Sequence, residues 1–259
     1  MRNAVVIFTK VPCAGTAKTR LTTERGGILS QEEAKEFYQA CLLDVLESCL
    51  KADCCDLYIC YDAAGDGAYL EQLVETVAPA GRVREFFRDQ GESFDKGMQY
   101  AVDCILKNGS PERLADAVVI LGGDMPTLQP QTLRTAFQRL EQLARQDSAL
   151  VISADQECGF NIIGYTHGTP FRFDEVFYNR LGVTALDMIA IRAVEQEIPV
   201  ALLETVPDVD LVPDFAHLLT LLKTMQLAHR HDSSMQLPHR TINVLAELGY
   251  EAAAFPAAG

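Results

Sequence analysis

Short apolar runs of β type alternate with helical patterns along this 259-residue chain, and that rhythm narrows the possible folds more than any other feature. Strand-like runs fall at residues 4–9, 56–61, 83–87, 117–122, 149–153, 160–165 and 200–205. Helical patterns fall at 66–77, 93–107, 130–145, 184–197 and 213–229, and a further one opens at Gln31. There Ser30 stands as N-cap with Glu33 three residues on, a reciprocal pairing that satisfies two orphan amides. Ala34, Phe37, Cys41, Val45 and Cys49 then repeat at helical spacing. Such alternation predicts an α/β fold, a mostly parallel sheet with helices on both faces. Ligands of these sheets bind beyond the carboxyl ends of the strands, so the segments leaving 4–9 and 117–122 share one rim. Near the end, a short helix is expected from a cap at Thr241 to a stop at Gly249, before an Ala/Pro-rich terminus expected to fray.

The chain is acidic, with a net charge of −14, which argues against non-specific binding to nucleic acid or to an anionic membrane surface. No apolar stretch approaches the ~20 residues of a membrane span. The apolar run at 4–9 is too short for a secretory signal and lacks a small-residue cleavage pattern. The expectation is a cytoplasmic protein. Eight cysteines contain no C-x-x-C spacing and no paired histidines follow them; Cys41, Cys49, Cys60 and Cys104 read as small core hydrophobes. His229 and His231 read as part of a polar turn.

The first twenty-five residues run against the acidic trend, with Arg2, Lys10, Lys18, Arg20 and Arg25 against Glu24 alone. After the first strand the chain passes Lys10, Pro12, Gly15, Lys18, Thr19 and Arg20. Either this is a surface loop whose cations pair with the abundant acids, or it is a phosphate cradle: a turning loop aims backbone N–H groups inward, Gly15 permits close approach, Arg20 can fork onto phosphate oxygens, and Lys18 serves as a point charge. The spacing is not that of a Walker A loop, and no G-x-G-x-x-G is present. A second motif, Gly122-Gly123-Asp124-Met125-Pro126, puts a carboxylate where the fourth strand leaves the sheet. Asp124 is either a cap for the next helix or turn, or a ligand for Mg²⁺ or Mn²⁺, which favour carboxylates completed by phosphate oxygens. In a third, Asp208-Val209-Asp210, two acids at i and i+2 of an extended segment point to one side. They read equally as surface acids or as a second carboxylate for the same cation, while Asp214 belongs to the first turn of the next helix. Gln90-Gly91-Glu92-Ser93 opens the helix from Phe94, and reads equally as an ordinary N-terminal turn or as backbone donors and a Gln90 side chain for a base or sugar. Glu157, Gly159 and Asn161 lead into a strand, either as a plain hairpin or as an acceptor-facing edge.

Taken together, Phe8-Thr9-Lys10-x-Pro12-x-x-Gly15-x-x-Lys18-Thr19-Arg20-Leu21, then Gly-Gly-Asp124-Met-Pro126, then Asp208-Val-Asp210 resemble the bacterial proteins of the nucleotide-diphospho-sugar transferase superfamily. Their glycosyltransferase-A fold is a three-layer α/β/α sandwich around a mostly parallel mixed sheet. The 2-phospholactate and molybdenum-cofactor guanylyltransferases are more distantly similar. The resemblance spans about residues 4–225, leaving 226–259 as a C-terminal extension whose short helix is expected to pack on the same domain. It implies a nucleotide (NTP or nucleotide sugar) held by Lys10, Pro12, Gly15, Lys18, Thr19, Arg20, Gln90, Gly91 and Gly123. It further implies Mg²⁺ or Mn²⁺ at Asp124 and Asp210, and a nucleotidyl or sugar group passing to a small acceptor beside Glu157, Gly159 and Asn161. Lys18, Arg20 and Asp124 would carry the chemistry. Two departures fall on the acceptor side. Relatives commonly have Asp-Gly-Gly-Tyr-Tyr where this chain has Glu157-Cys158-Gly159-Phe160-Asn161, and a Trp-Ser-Thr element near Gly182-Val183-Thr184. The alternative is therefore a nucleotide-binding protein without turnover.

Overall fold

The computed structural model describes residues 1–251; the Ala/Pro-rich terminus lies outside the described residues. Strands β1 (Asn3–Thr9), β2 (Asp56–Tyr61), β3 (Val83–Arg88), β4 (Ala117–Gly122), β5 (Leu150–Ala154), β6 (Phe160–Thr166) and β7 (Val200–Leu202) form one sheet in the order β3-β2-β1-β4-β6-β5-β7. Neighbours run parallel except β6, which is antiparallel to both β4 and β5. The helices are α1 (Gln31–Ala52), α2 (Gly67–Glu75), α3 (Phe94–Leu106), α4 (Pro130–Leu143), α5 (Ala185–Glu195), α6 (Val212–His229) and α7 (His239–Glu247).

Side-chain alternation along the buried strands sorts the helices onto two faces. Val5, Ile7, Val119 and Leu121 pack against α1, α2 and α4, whereas Ala4, Val6, Val118 and Ile120 pack against α3 and α5. This is the three-layer α/β/α arrangement. Ser30 and Glu33 form the expected reciprocal cap on α1. The apolar repeat on α1 serves two surfaces, however. Val45 and Cys49 face the sheet, while Ala34, Phe37 and Cys41 join Phe215, Leu218 and Leu222 of α6 and Leu245 of α7 in a third apolar cluster.

Most boundaries fall within two residues of expectation, and two larger shifts have causes elsewhere in the chain. The last strand ends at Leu202, not 205, because the hydroxyl of Ser153 on β5 takes over the ladder: it donates to Glu204 O at 2.6 Å and accepts from Val206 N at 3.3 Å. The final helix starts at His239, and Thr241 lies buried inside it, not at its cap. Its orphan amides are met by Asp44 of α1, whose carboxylate accepts from Arg240 N at 3.3 Å and from Thr241 N and Oγ1 at 2.8 Å each. The cysteines of the described residues are all free; Cys41, Cys49 and Cys60 are buried. No helix among the described residues is long and apolar enough to cross a membrane.

Candidate functional site

The carboxyl ends of β1 and β4 lie side by side, at the point where the sheet order turns from β2 and β3 on one flank to β6 and β5 on the other. Beyond β1 the chain folds into a tight loop in which Cys13 O accepts from Thr16 N and Ala17 N. Ala17 and Leu21 are buried and anchor the loop on either side of Lys18, whose backbone is left-handed (φ 46°, ψ 40°). That conformation costs a non-glycine residue on the order of 1–2 kcal/mol, and here it drives the side chain inward until only 6% of it is exposed. The ammonium donates to Asp124 Oδ2 at 2.7 Å and to Asp210 Oδ1 at 2.6 Å. It also stands 5.7 Å from the ring centroid of Tyr38, a cation–π contact. The Tyr38 hydroxyl in turn shares a 2.6 Å hydrogen bond with Thr9 Oγ1 and accepts from Lys10 N, tying the loop to α1. Arg20 remains mostly exposed, 3.4 Å from Asp210 Oδ2.

The carboxylates are placed by equally local causes. A Cβ on Gly123 would come within 2.8 Å of Leu42 Cδ1 and 2.9 Å of Thr9 Oγ1, and one on Gly122 within 2.6 Å of Asp124 Oδ1. Only glycines let the chain pass between α1 and the sheet while Asp124 faces the crevice. After β7, Val209 is buried in the third apolar cluster, so its neighbours Asp208 and Asp210 turn the other way, into the cleft. Asp214 fixes this segment by accepting from Asp210 N and Leu211 N. Oxygens of Asp124, Asp208 and Asp210 lie within 4.8 Å of one another.

Three carboxylates around one ammonium set the electrostatics. Burial alone would lower the Lys18 pKa, but Asp124 and Asp210 reverse this and hold it well above the usual lysine value. Burial likewise opposes ionisation of Asp210, yet Lys18 draws its carboxyl below the ordinary range. Asp208, desolvated and facing the charges of Asp124 and Asp210, is pushed up to about 7. An all-oxygen set of three acids suits a hard divalent cation such as Mg²⁺ or Mn²⁺.

The cleft above these residues has a volume of about 820 Å³ and crosses the sheet rim from the α1 side to the α3 and α5 side. Lys10, Lys18, Thr19, Arg20, Gly123 and Asp124 line it, as do Asp208 and Asp210 and, further along, Glu157, Gly159 and Asn161. Asn161 donates from Nδ2 to Val206 O at 2.6 Å. Pro12, Gly15, Gln90 and Gly91 are not among the lining residues. Gly15 makes the turn at φ +79° and lies against Gln31. The Gly91 amide donates to Asp89 Oδ1 at 2.7 Å and its α-carbon packs on Gly97, while Asp89 and Phe94 on either side of this segment do line the cleft. Sequence reasoning missed Tyr38, which reads as one more apolar residue on α1. It also missed Asp62, which accepts from Val11 N at 2.6 Å and braces the loop from the end of β2.

A family model described as "Uncharacterized protein conserved in bacteria (DUF2064)" matches residues 45–180. Among curated proteins none matches the sequence. Among solved structures, a candidate nucleotide-diphospho-sugar transferase from Desulfovibrio desulfuricans G20 superposes with a TM-score of 0.69 at 24% identity, covering 95% of this chain and 98% of its own. A cytidylyltransferase from Leptospira borgpetersenii serovar Hardjo-bovis gives a TM-score of 0.51 at 11% identity over 100% of both chains. CMP:2-keto-3-deoxy-manno-octonic acid synthetase complexed with CTP gives 0.50 at 14% identity, over 86% of this chain and 99% of that one. At such identities the likeness is one of fold, and that fold is the nucleotide-diphospho-sugar transferase type.

Proposed function

The chain belongs to the bacterial family DUF2064, and from that premise we propose that it is a metal-dependent nucleotidyltransferase, moving a nucleotidyl group from a nucleoside triphosphate to a small acceptor. The observation that carries this reading is the Lys18 ammonium, 2.7 Å from Asp124 and 2.6 Å from Asp210, with Arg20 and Lys10 on the same side of one cleft. Cations from one loop meet carboxylates from two distant segments, as a polyphosphate and its counter-ion require. Three cations in one loop favour a triphosphate over the diphosphate of a nucleotide sugar. The reading agrees with the cytidylyltransferase and the CTP-bound synthetase among the structures of this fold.

Lys18 and Arg20 would hold the β- and γ-phosphate oxygens and offset the charge that grows on them. Asp124, Asp208 and Asp210 would hold Mg²⁺ or Mn²⁺, which when bound supplies positive charge at the phosphates. An acceptor oxygen attacks the α-phosphorus in line. The new P–O bond forms as the bond from the α-phosphorus to the bridging oxygen breaks, pyrophosphate leaves with the electron pair, and the acceptor proton passes to solvent. Positioning and electrostatics suffice, with no covalent nucleophile.

The test is a panel of four NTPs with Mg²⁺ or Mn²⁺ and varied acceptors, read by pyrophosphatase-coupled phosphate release, beside calorimetry of nucleotide binding. Turnover with one NTP, together with lost affinity in Lys18→Ala/Arg20→Ala, supports the proposal. Tight binding without turnover on any acceptor would favour a binding protein, and equal affinity in wild type and variant would remove the site altogether.

A further inference from the structure

The two ends of the cleft differ in chemistry. Its lining cations, Lys10, Lys18 and Arg20, all come from the loop after β1. Across the rim, on the α3 and α5 side, the lining is aromatic. Phe8 meets Phe94 edge-on at 5.7 Å, Phe94 meets Phe177 at 4.7 Å, and Phe177 lies 5.2 Å from Phe160. Phe94 is 45% exposed and Tyr178 73%, so ring surface stands open to the cleft. Exposed rings of this size are retained at a cost in water and mark a binding surface.

The wall is held in place by the residues behind it. Asp95, itself 5% exposed, accepts from Phe177 N at 3.0 Å and pins the segment after β6 to the start of α3. Asn179 braces the same segment by donating to Val176 O and Val183 O and accepting from Val183 N. The charges on this side are acids: Asp89 against Gly97 of α3, Asp155, fixed by accepting from Glu157 N and Gly159 N at 2.7 Å each, and Glu157 itself.

We infer that the acceptor is an alcohol with an apolar or ring-bearing body and no phosphate or carboxylate of its own, its body lying on the Phe94–Phe177–Phe160 wall and its hydroxyl reaching toward the cation end. This rests on reading the Lys18 loop as the phosphate end. A phosphorylated acceptor would have to lie against Asp155 and Glu157 with the cations already engaged by the nucleotide, and such like-charge contacts are how a site rejects a ligand. An uncharged body gains from the rings and gives up no anion hydration. The cleft volume of about 820 Å³ leaves room for two reactants end to end.

The test uses a matched pair, 2-phenylethanol and phenyl phosphate, titrated by ligand-observed NMR into the full chain with and without Mg²⁺ and tripolyphosphate, in wild type and in Phe94→Ala/Phe177→Ala. The expected result is that 2-phenylethanol binds with or without tripolyphosphate and weakens by about tenfold or more in the variant. Phenyl phosphate, with tripolyphosphate present, binds at least about tenfold more weakly than 2-phenylethanol. Phenyl phosphate binding as well as the alcohol under those conditions would overturn the inference. So would an alcohol that fails to bind or is indifferent to the variant, or its displacement by free nucleosides, which would make the wall a base platform. Circular dichroism of the variant separates lost binding from lost fold. Tripolyphosphate binding, read on its own by calorimetry, tests the phosphate end separately, so failure of that reading is distinguishable from failure of this one.

Discussion

Replacing Lys18 with Met should make the protein less stable without metal, better at binding a bare divalent cation, and worse at binding nucleotide. Met keeps most of the stem and removes the charge. In the wild type the ammonium touches two carboxylates and a third stands beside them. Removing one partner of a buried ion pair typically costs about 3–5 kcal/mol. The cost here belongs below that range, at roughly 2–3 kcal/mol, because Asp124 and Asp210 are 25% and 35% exposed, Arg20 still faces Asp210, and Asp208 can hold a proton. For a chain of this length that is a fall in Tm of roughly 4–6 °C, read by circular dichroism in EDTA. Mn²⁺ added alone no longer has to displace an ammonium, so its Kd by calorimetry should tighten at least about tenfold, equivalent to ~1.4 kcal/mol. Nucleotide affinity should fall by about tenfold or more, since a charge-assisted phosphate contact is gone. A variant with unchanged Tm in EDTA and unchanged Mn²⁺ affinity would refute the lodging of Lys18 among the carboxylates.

Three further outcomes arise from the same geometry. Gly123→Ala should destabilise by about 1–3 kcal/mol in urea melts, because the new methyl meets Leu42 and Thr9, and should weaken Mn²⁺ binding by displacing Asp124. Asp208 titrates near 7 in the folded protein against 3.8 ordinarily, so the folded state holds that proton more tightly and metal-free stability falls as pH rises between those values. Asp208→Asn should then gain about 1–2 kcal/mol in EDTA at pH 8 and nothing below pH 4, and an equal effect at both pH values would contradict the assignment. Asp44→Ala strands the first amides of α7 and should cost about 2–4 kcal/mol, with faster hydrogen exchange over 239–247 than over β1.

The strands and the rim they create were legible because each buried strand is a short β-rich run closed by turn residues, and because Ser30 and Glu33 announce α1. The three clustered site residues Lys18, Asp124 and Asp210 were legible for a related reason: unusual charges stand where the chain leaves the sheet. What escaped depended on partners distant in sequence. Thr241 looks like a cap because local grammar favours it, yet the group that meets those amides is Asp44, 197 residues earlier. The early end of β7 comes from Ser153, which no pattern within 200–205 can signal. Tyr38 hides in an apolar repeat, and its hydroxyl matters only because Thr9 and Lys10 arrive above it.

The central claim is that Lys18 exchanges carboxylates for phosphate when nucleotide and cation arrive together. A crystal structure with bound nucleoside triphosphate and Mn²⁺, its ion located by anomalous scattering, tests this directly. The account predicts an Mn²⁺ peak among Asp124, Asp208 and Asp210 and the Lys18 ammonium on phosphate oxygens. A peak elsewhere, or Lys18 still bridging Asp124 and Asp210 beneath a bound triphosphate, would contradict it.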